Sequence, residues 1–259
     1  NGYSFSASLA DYDLDGYLDL FICDYQPTKY NLLYHNNGDK TFTRVSGGDI
    51  SKAAYSSTHS SWADYDLDGD LDLFVCNDLD TPNLLYRNDG NGVFTSVLGS
   101  TFSDSSYSSG ASWGDYDNDG DFDLFVANNA DTYNFLYQNN GNGTFSRIFS
   151  GDIALDKGNS QGSGWADYIN DGYLDLLVNN DRGGFKYLYQ NNGDETFTRV
   201  SNELTTALGN TMATAWGDFD NDGDLDVFSA TYGSEANVLF KNSKGKCNSF
   251  AKICLAANG

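Results

Sequence analysis

Five segments of the chain set carboxylates at alternate positions of a short loop bent by a glycine: DYDLDGYLD from Asp11, DYDLDGDLD from Asp64, DYDNDGDFD from Asp115, DYINDGYLD from Asp167 and DFDNDGDLD from Asp218. Bare carboxylates this close repel one another, and a hard cation reverses the sign. Ca²⁺ takes about six to eight oxygens, from carboxylates and backbone carbonyls, in a flexible shell. In the second loop Asp64, Asp66 and Asp68 supply side chains at positions 1, 3 and 5, Gly69 permits the turn, Asp70 offers its carbonyl and Asp72 returns a carboxylate from the next strand. The first loop matches with Asp11, Asp13, Asp15, Tyr17 and Asp19, the third with Asp115, Asp117, Asp119, Asp121 and Asp123, and the fifth with Asp218, Asp220, Asp222, Asp224 and Asp226. The fourth keeps Asp167, Asp171, Tyr173 and Asp175 but carries Ile169 at position 3. The expectation is four full Ca²⁺ sites and a fifth, at Asp167–Asp175, weak or empty. These loops are not EF-hands, which need Glu at position 12 between helices, whereas that position is Ile22 in the first loop and Val75 in the second.

The loops start 53, 51, 52 and 51 residues apart, a period that marks a repeat architecture. Before each loop one slot holds a large apolar residue, Leu9, Trp62, Trp113, Trp165 or Trp216, which takes up all four tryptophans of the chain. After it comes an alternating segment such as Leu71-Asp72-Leu73-Phe74-Val75, the period-2 signature of a strand. A third segment ends in Tyr34, Tyr86, Tyr137, Tyr189 or Phe240, an Asn/Gly turn follows, and the last centres on Phe42, Phe94, Phe145, Phe197 or Phe250. No helical periodicity is visible. Four short strands per unit predict an all-β fold, a β-propeller of five four-stranded blades of about 52 residues; a β-solenoid would have much shorter coils. The chain reads as one propeller domain, 1–259, with units at approximately 1–52, 53–103, 104–155, 156–206 and 207–259. A closed five-bladed ring and five blades of a larger ring both fit, and the Trp slot suits a side chain wedged between neighbouring sheets.

Stretches such as WADYDLDGDLDLFV and NLLYRNDGNGVFTSV resemble the FG-GAP/VCBS repeats of integrin-type propellers and of many secreted proteins. The resemblance covers the whole chain. It implies a calcium-stabilised propeller of extracellular or cell-surface proteins, used for adhesion, glycan binding or scaffolding.

With 37 Asp+Glu against 14 Lys+Arg the formal charge is −23, which disfavours nucleic acid. No apolar run is long enough to span a membrane. The chain opens at Asn1 without an apolar signal-like segment, as a mature form or an excerpt would. Catalytic patterns are poor: no HExxH, nucleophile elbow or Walker loop occurs, and the only imidazoles are His35 and His59. His35 shares its slot with Arg87, Gln138, Gln190 and Lys241 and reads as a solvated strand residue. Cys23 and Cys76 occupy one repeat slot and read as buried small residues, whereas Cys247 and Cys254 flank Phe250 and suit a local disulfide. Asn142-Gly143-Thr144 is an N-glycosylation sequon on a predicted turn. The connections between second and third strands vary most and carry Tyr25, Tyr30, Tyr133 and Tyr232, which could stack on sugars or pack between blades. The function expected is a non-enzymatic adhesion or assembly module acting through other proteins or self-assembly. A calcium-dependent lectin is the alternative, and a polysaccharide-active enzyme is third.

Overall fold

A computed structural model describes residues 3–90, 92–97, 101–182, 184–207, 209–233, 236–243 and 250–254, Cys254 by its backbone alone. The chain is all-β. Five four-stranded sheets each take their strands in chain order, apart from two-residue strands that pair separately. The first sheet is built from Ser4–Ala10, Asp19–Asp24, Leu32–Asn36 and Phe42–Val45, and the second from Ser57–Ala63, Asp72–Asn77, Leu84–Asn88 and Phe94–Ser96. The third holds Ser108–Gly114, Asp123–Asn128, Phe135–Asn139 and Phe145–Ile148. The fourth holds Ser160–Ala166, Asp175–Asn180, Tyr187–Asn191 and Phe197–Val200, and the fifth Thr211–Gly217, Asp226–Thr231, Val238–Asn242 and Phe250–Cys254. Pairing in the second sheet is antiparallel, with Trp62 opposite Leu73, Leu73 opposite Tyr86 and Tyr86 opposite Ser96. The first strand carries a bulge at the same point in four sheets, at Ser4/Ser6, Ser57/His59, Ser160/Gly162 and Thr211/Ala213.

Two compact units are formed, one of Asn1–Trp113, Asp121–Leu124 and Tyr137–Arg147, the other of Gly114–Gly120, Phe125–Leu136 and Ile148–Gly259. In the first unit the core lies between successive sheets. Tyr12, Phe21, Cys23 and Leu33 of the first sheet pack with Leu73, Val75, Tyr86 and Phe94 of the second. In the second unit Tyr168, Leu177 and Leu188 pack likewise with Val227, Phe240 and Phe250. All six positions of Asp72–Asn77 are buried, because an interior strand between two packed sheets has no wet face. One departure from the sequence expectation is helical: Asp49–Ser51 forms a 3₁₀ turn, and Asp152–Leu155 and Glu203–Thr206 form four-residue helices. One turn is too short to leave a periodic signature.

Each tryptophan sits in a junction between sheets, as its slot predicts. Trp62 stacks on Tyr12 at 6.5 Å between ring centroids and meets Phe21 edge-on at 6.3 Å, while its indole N–H donates to Ser8 Oγ at 2.9 Å. Trp113 repeats this on Tyr65 and Phe74, Trp165 on Tyr116 and Phe125, and Trp216 on Tyr168. Cys23 and Cys76 are buried free thiols. The expected Cys247–Cys254 disulfide lies outside the described residues.

Candidate metal centres

The loop sequence dictates its own geometry. Position 1 folds the turn: Asp64 accepts the backbone N–H groups of Asp68 and Gly69, each at 3.0 Å. The same pair of bonds forms at Asp11, Asp167 and Asp218. Position 5 then accepts the N–H of position 7, as Asp15 does from Tyr17, Asp68 from Asp70, Asp171 from Tyr173 and Asp222 from Asp224. That fixes the peptide to which the sequence assigns the carbonyl ligand. Position 6 has φ between 89° and 97° in all five loops, a backbone state open to glycine and strained for other residues. Position 4 is left-handed too, occupied by Leu14, Leu67, Asn118, Asn170 and Asn221. The two leucines carry a cost there that the asparagines largely avoid.

Position 9 ties the loop to the sheet. Asp72 accepts the N–H of Tyr65 at 3.1 Å and that of Asn88 at 2.7 Å, and Asp19, Asp175 and Asp226 repeat both bonds. All are buried. Burial, with Asp66 and Asp68 nearby, pushes the Asp72 carboxyl up to about 7, and burial beside Asp171 and Asp167 does the same to Asp175. Asp19 and Asp66 are raised from the ordinary carboxylate range, burial again the leading cause.

Carboxylate oxygens converge within 4.8 Å in the first, second and fifth loops, as Asp11/Asp13/Asp19, Asp64/Asp66/Asp72 and Asp218/Asp220/Asp222. The third loop's acids divide between the two units, with Asp115, Asp117 and Asp119 in one and Asp121 and Asp123 in the other. Within them Asp115 accepts the N–H of Gly120 at 3.1 Å and Asp123 that of Asn139 at 2.8 Å. Among the described residues the fourth loop gathers no such trio, because Ile169 stands where position 3 supplies its oxygen. The donor set fits a hard cation on one specific ground. Asp13 Oδ1 and Asp66 Oδ1, both from position 3, are buried carboxylate oxygens without a hydrogen-bond donor, and such atoms are costly unless a charge meets them.

The structure extends the reading of His35. It lies in its strand and is partly exposed, as expected, but it also faces the loop: its Nδ1 lies 3.0 Å from Asp13 and 3.4 Å from Asp19, with Nε2 3.8 Å from Asp15. In the same slot of the fifth unit, Lys241 pairs with Asp220 and lies 3.2 Å from Asp222. Strand register brings this slot over the loop, which a list of five unlike residues could not reveal. Sequence reading also missed the next residue. Asn88 Nδ2 donates to the carbonyls of Tyr12 and Leu71, at 2.8 and 3.2 Å, and so joins its own loop to that of the preceding sheet. Asn139, Asn191 and Asn242 reach back in the same way to Tyr65, Tyr116 and Tyr168. The available signal was an asparagine at one slot in all five units.

Outside the loops, burial pushes His59 down from the usual imidazole range. Asn142 is exposed on its turn, with its side-chain oxygen accepting from Thr144 N–H at 3.1 Å. Tyr25 packs on Phe5 and donates to Asp78 at 2.5 Å, whereas Tyr30, Tyr133 and Tyr232 are exposed. A cavity of about 390 Å³ opens beside the second loop, lined among others by Tyr65, Asp66, Arg87 and Asn142.

Comparison with known proteins places these features in a family. The FG-GAP-like repeat model matches residues 11–75, 64–126, 115–178 and 167–229. Cartilage acidic protein 1 of Xenopus tropicalis is 32% identical over 126 residues, 46% of this chain and 19% of that protein. The chain thus spans about a fifth of the length of that relative. Among solved structures, a lectin of Agrocybe aegerita that recognises non-reducing terminal N-acetylglucosamine superposes with a TM-score of 0.63 at 21% identity, over 99% of this chain and 67% of that one. BBS1N, solved in complex with ARL6DN, gives a TM-score of 0.50 at 13% identity, over 100% of this chain and 78% of that one. At these identities the two structures share a fold with the chain.

Proposed function

This chain belongs to the FG-GAP-like repeat family, and on that premise we propose that its sheets are propeller blades of a calcium-stabilised, extracellular interaction module that works by binding rather than catalysis. Calcium rests on one observation, the orphaned buried oxygens of Asp13 and Asp66 inside converging carboxylate groups. Full sites are assigned to the first, second, third and fifth loops, and a weak or empty one to the fourth. The side chains of Asp64, Asp66, Asp68 and Asp72 hold the ion in the second loop, and its chemistry there is charge neutralisation of a strained turn. Kinship with cartilage acidic protein 1 and the family's frequent occurrence outside cells support an extracellular setting, where free calcium is plentiful.

Binding is assigned to the connections between second and third strands. They differ from sheet to sheet on a repeated frame, and they expose Tyr30, Tyr133 and Tyr232. Other proteins are the leading partners. Glycans are the second reading, favoured by those exposed aromatic faces and by the lectin fold relative. A glycan array probed in millimolar calcium and again in chelator separates the two. Calcium-dependent binding to a defined sugar promotes the lectin reading. Silence in both buffers from folded protein leaves protein partners, to be sought by cross-linking in calcium. Turnover of a polysaccharide would refute both.

A further inference from the structure

In the second and fifth sheets the residue before the reaching asparagine lies over the acidic loop of its own sheet. Position 9 holds the strand there: Asp226 accepts the N–H of Asn242 at 2.7 Å and that of Phe219 at 3.2 Å, as Asp72 does from Asn88 and Tyr65. The slot itself is not uniform along the chain, which carries His35, Arg87, Gln138, Gln190 and Lys241 at it. Two of these are permanent cations, and they find different partners.

Arg87 pairs outside its loop. Its guanidinium bonds Asp89, two residues on, at 2.8 Å through Nε and 2.6 Å through a terminal nitrogen, and Asp66 Oδ1 is left buried without a donor. Lys241 has Ser243 at the matching place, which offers no carboxylate. Its ammonium instead donates to Asp220 at loop position 3 and lies 3.2 Å from Asp222 at position 5. A positive charge thus already sits among the converging carboxylates of the fifth loop. The three side chains are 27–33% exposed, and an ion pair at such a surface is weak. A divalent ion that gathers more oxygens can displace the ammonium.

We propose that Lys241 is a built-in counter-cation of the fifth loop, seated on Asp220 and Asp222 until calcium displaces it, so that this loop fills at a higher calcium concentration than the second. The proposal rests on calcium being the ion of these loops and concerns the order in which they fill. Without calcium, the ammonium relieves the repulsion that Asp220 and Asp222 would otherwise exert on each other. With calcium, it must first be moved aside. One unit charge beside a divalent ion in a largely aqueous setting changes affinity by about tenfold.

The test is a calcium titration of the isotopically labelled full chain, followed by nuclear magnetic resonance at the backbone amides of Gly69 and Gly223. Each of these N–H groups bonds to the position-1 carboxylate of its own loop, Asp64 or Asp218, so the two report their loops separately. The unaltered chain should show a higher midpoint at Gly223 than at Gly69. Lys241→Gln, the side chain that the third and fourth units carry in this slot, should lower the Gly223 midpoint about tenfold and leave that of Gly69 in place. Lys241→Arg keeps the charge and should stay near the unaltered midpoint. A lysine with a merely structural role would not raise calcium affinity on its removal. A Gly223 midpoint that does not fall in Lys241→Gln, or one at or below that of Gly69 in the unaltered chain, overturns the proposal while leaving calcium in the loops. Calcium that moves neither glycine overturns the calcium reading itself, and the proposal with it.

Discussion

At loop position 3 a single oxygen decides between a polar turn and a metal centre. Asp66 Oδ1 accepts no hydrogen bond from the fold, unlike the Asp64 carboxylate, which accepts two backbone N–H groups. Asp66→Ala should therefore lower Tm in millimolar calcium by the equivalent of about 1 kcal/mol, taking a Kd near that of extracellular sites, and change little in chelator. Thermal unfolding in the two buffers checks this. Equal losses in both would assign Asp66 to the turn alone. The buried position 9 gives a pH signature. With Asp72 and Asp175 pushed up to about 7, the cation-free folded chain holds protons that the unfolded chain releases near pH 4. Stability in chelator should fall as pH rises from about 4 through 7. In calcium the ionised forms are the ones bound, so that fall should vanish or reverse. Melting curves across this range, with and without chelator, read the difference.

The element that carries the stability is the junction between sheets, and its keystone is the Trp slot. Trp62→Ala removes contacts to Tyr12, Phe21 and Phe94 together, and about 3 kcal/mol is the expected loss. Leu9→Ala, at the same slot on an exposed face, should fall within about 0.5 kcal/mol. Urea titration of both variants makes the comparison. Similar losses would mean that the slot does not act through the neighbouring sheet. This slot was legible in the sequence because one residue type recurred at one phase, and so were the strands, the turns and the loop carboxylates. The reach of Asn88 to Tyr12 and the seat of His35 on Asp13 were not. Both depend on strand register and on how one sheet lies against the next; the recurring asparagine marked a slot in the sequence without naming its partner, and the unlike residues of the His35 slot marked nothing. Full burial of Asp72–Asn77 was hidden for the same reason.

Over the whole molecule, charge and fold are one problem. Most of the acidic residues behind the net charge of −23 lie in the five loops, nineteen of them at positions 1, 3, 5 and 9. If the loops hold calcium as proposed, binding by folded protein alone turns that repulsion into stabilisation. The variable connections then present Tyr30, Tyr133 and Tyr232 from a frame that the loops hold in shape. The most direct test of this account is a calcium titration followed by calorimetry and thermal unfolding of the same sample. The account predicts saturable binding at four sites, a rise in Tm that tracks occupancy, and reversal by chelator. A Tm indifferent to calcium up to about 10 mM, beyond the weakest extracellular sites, would contradict it.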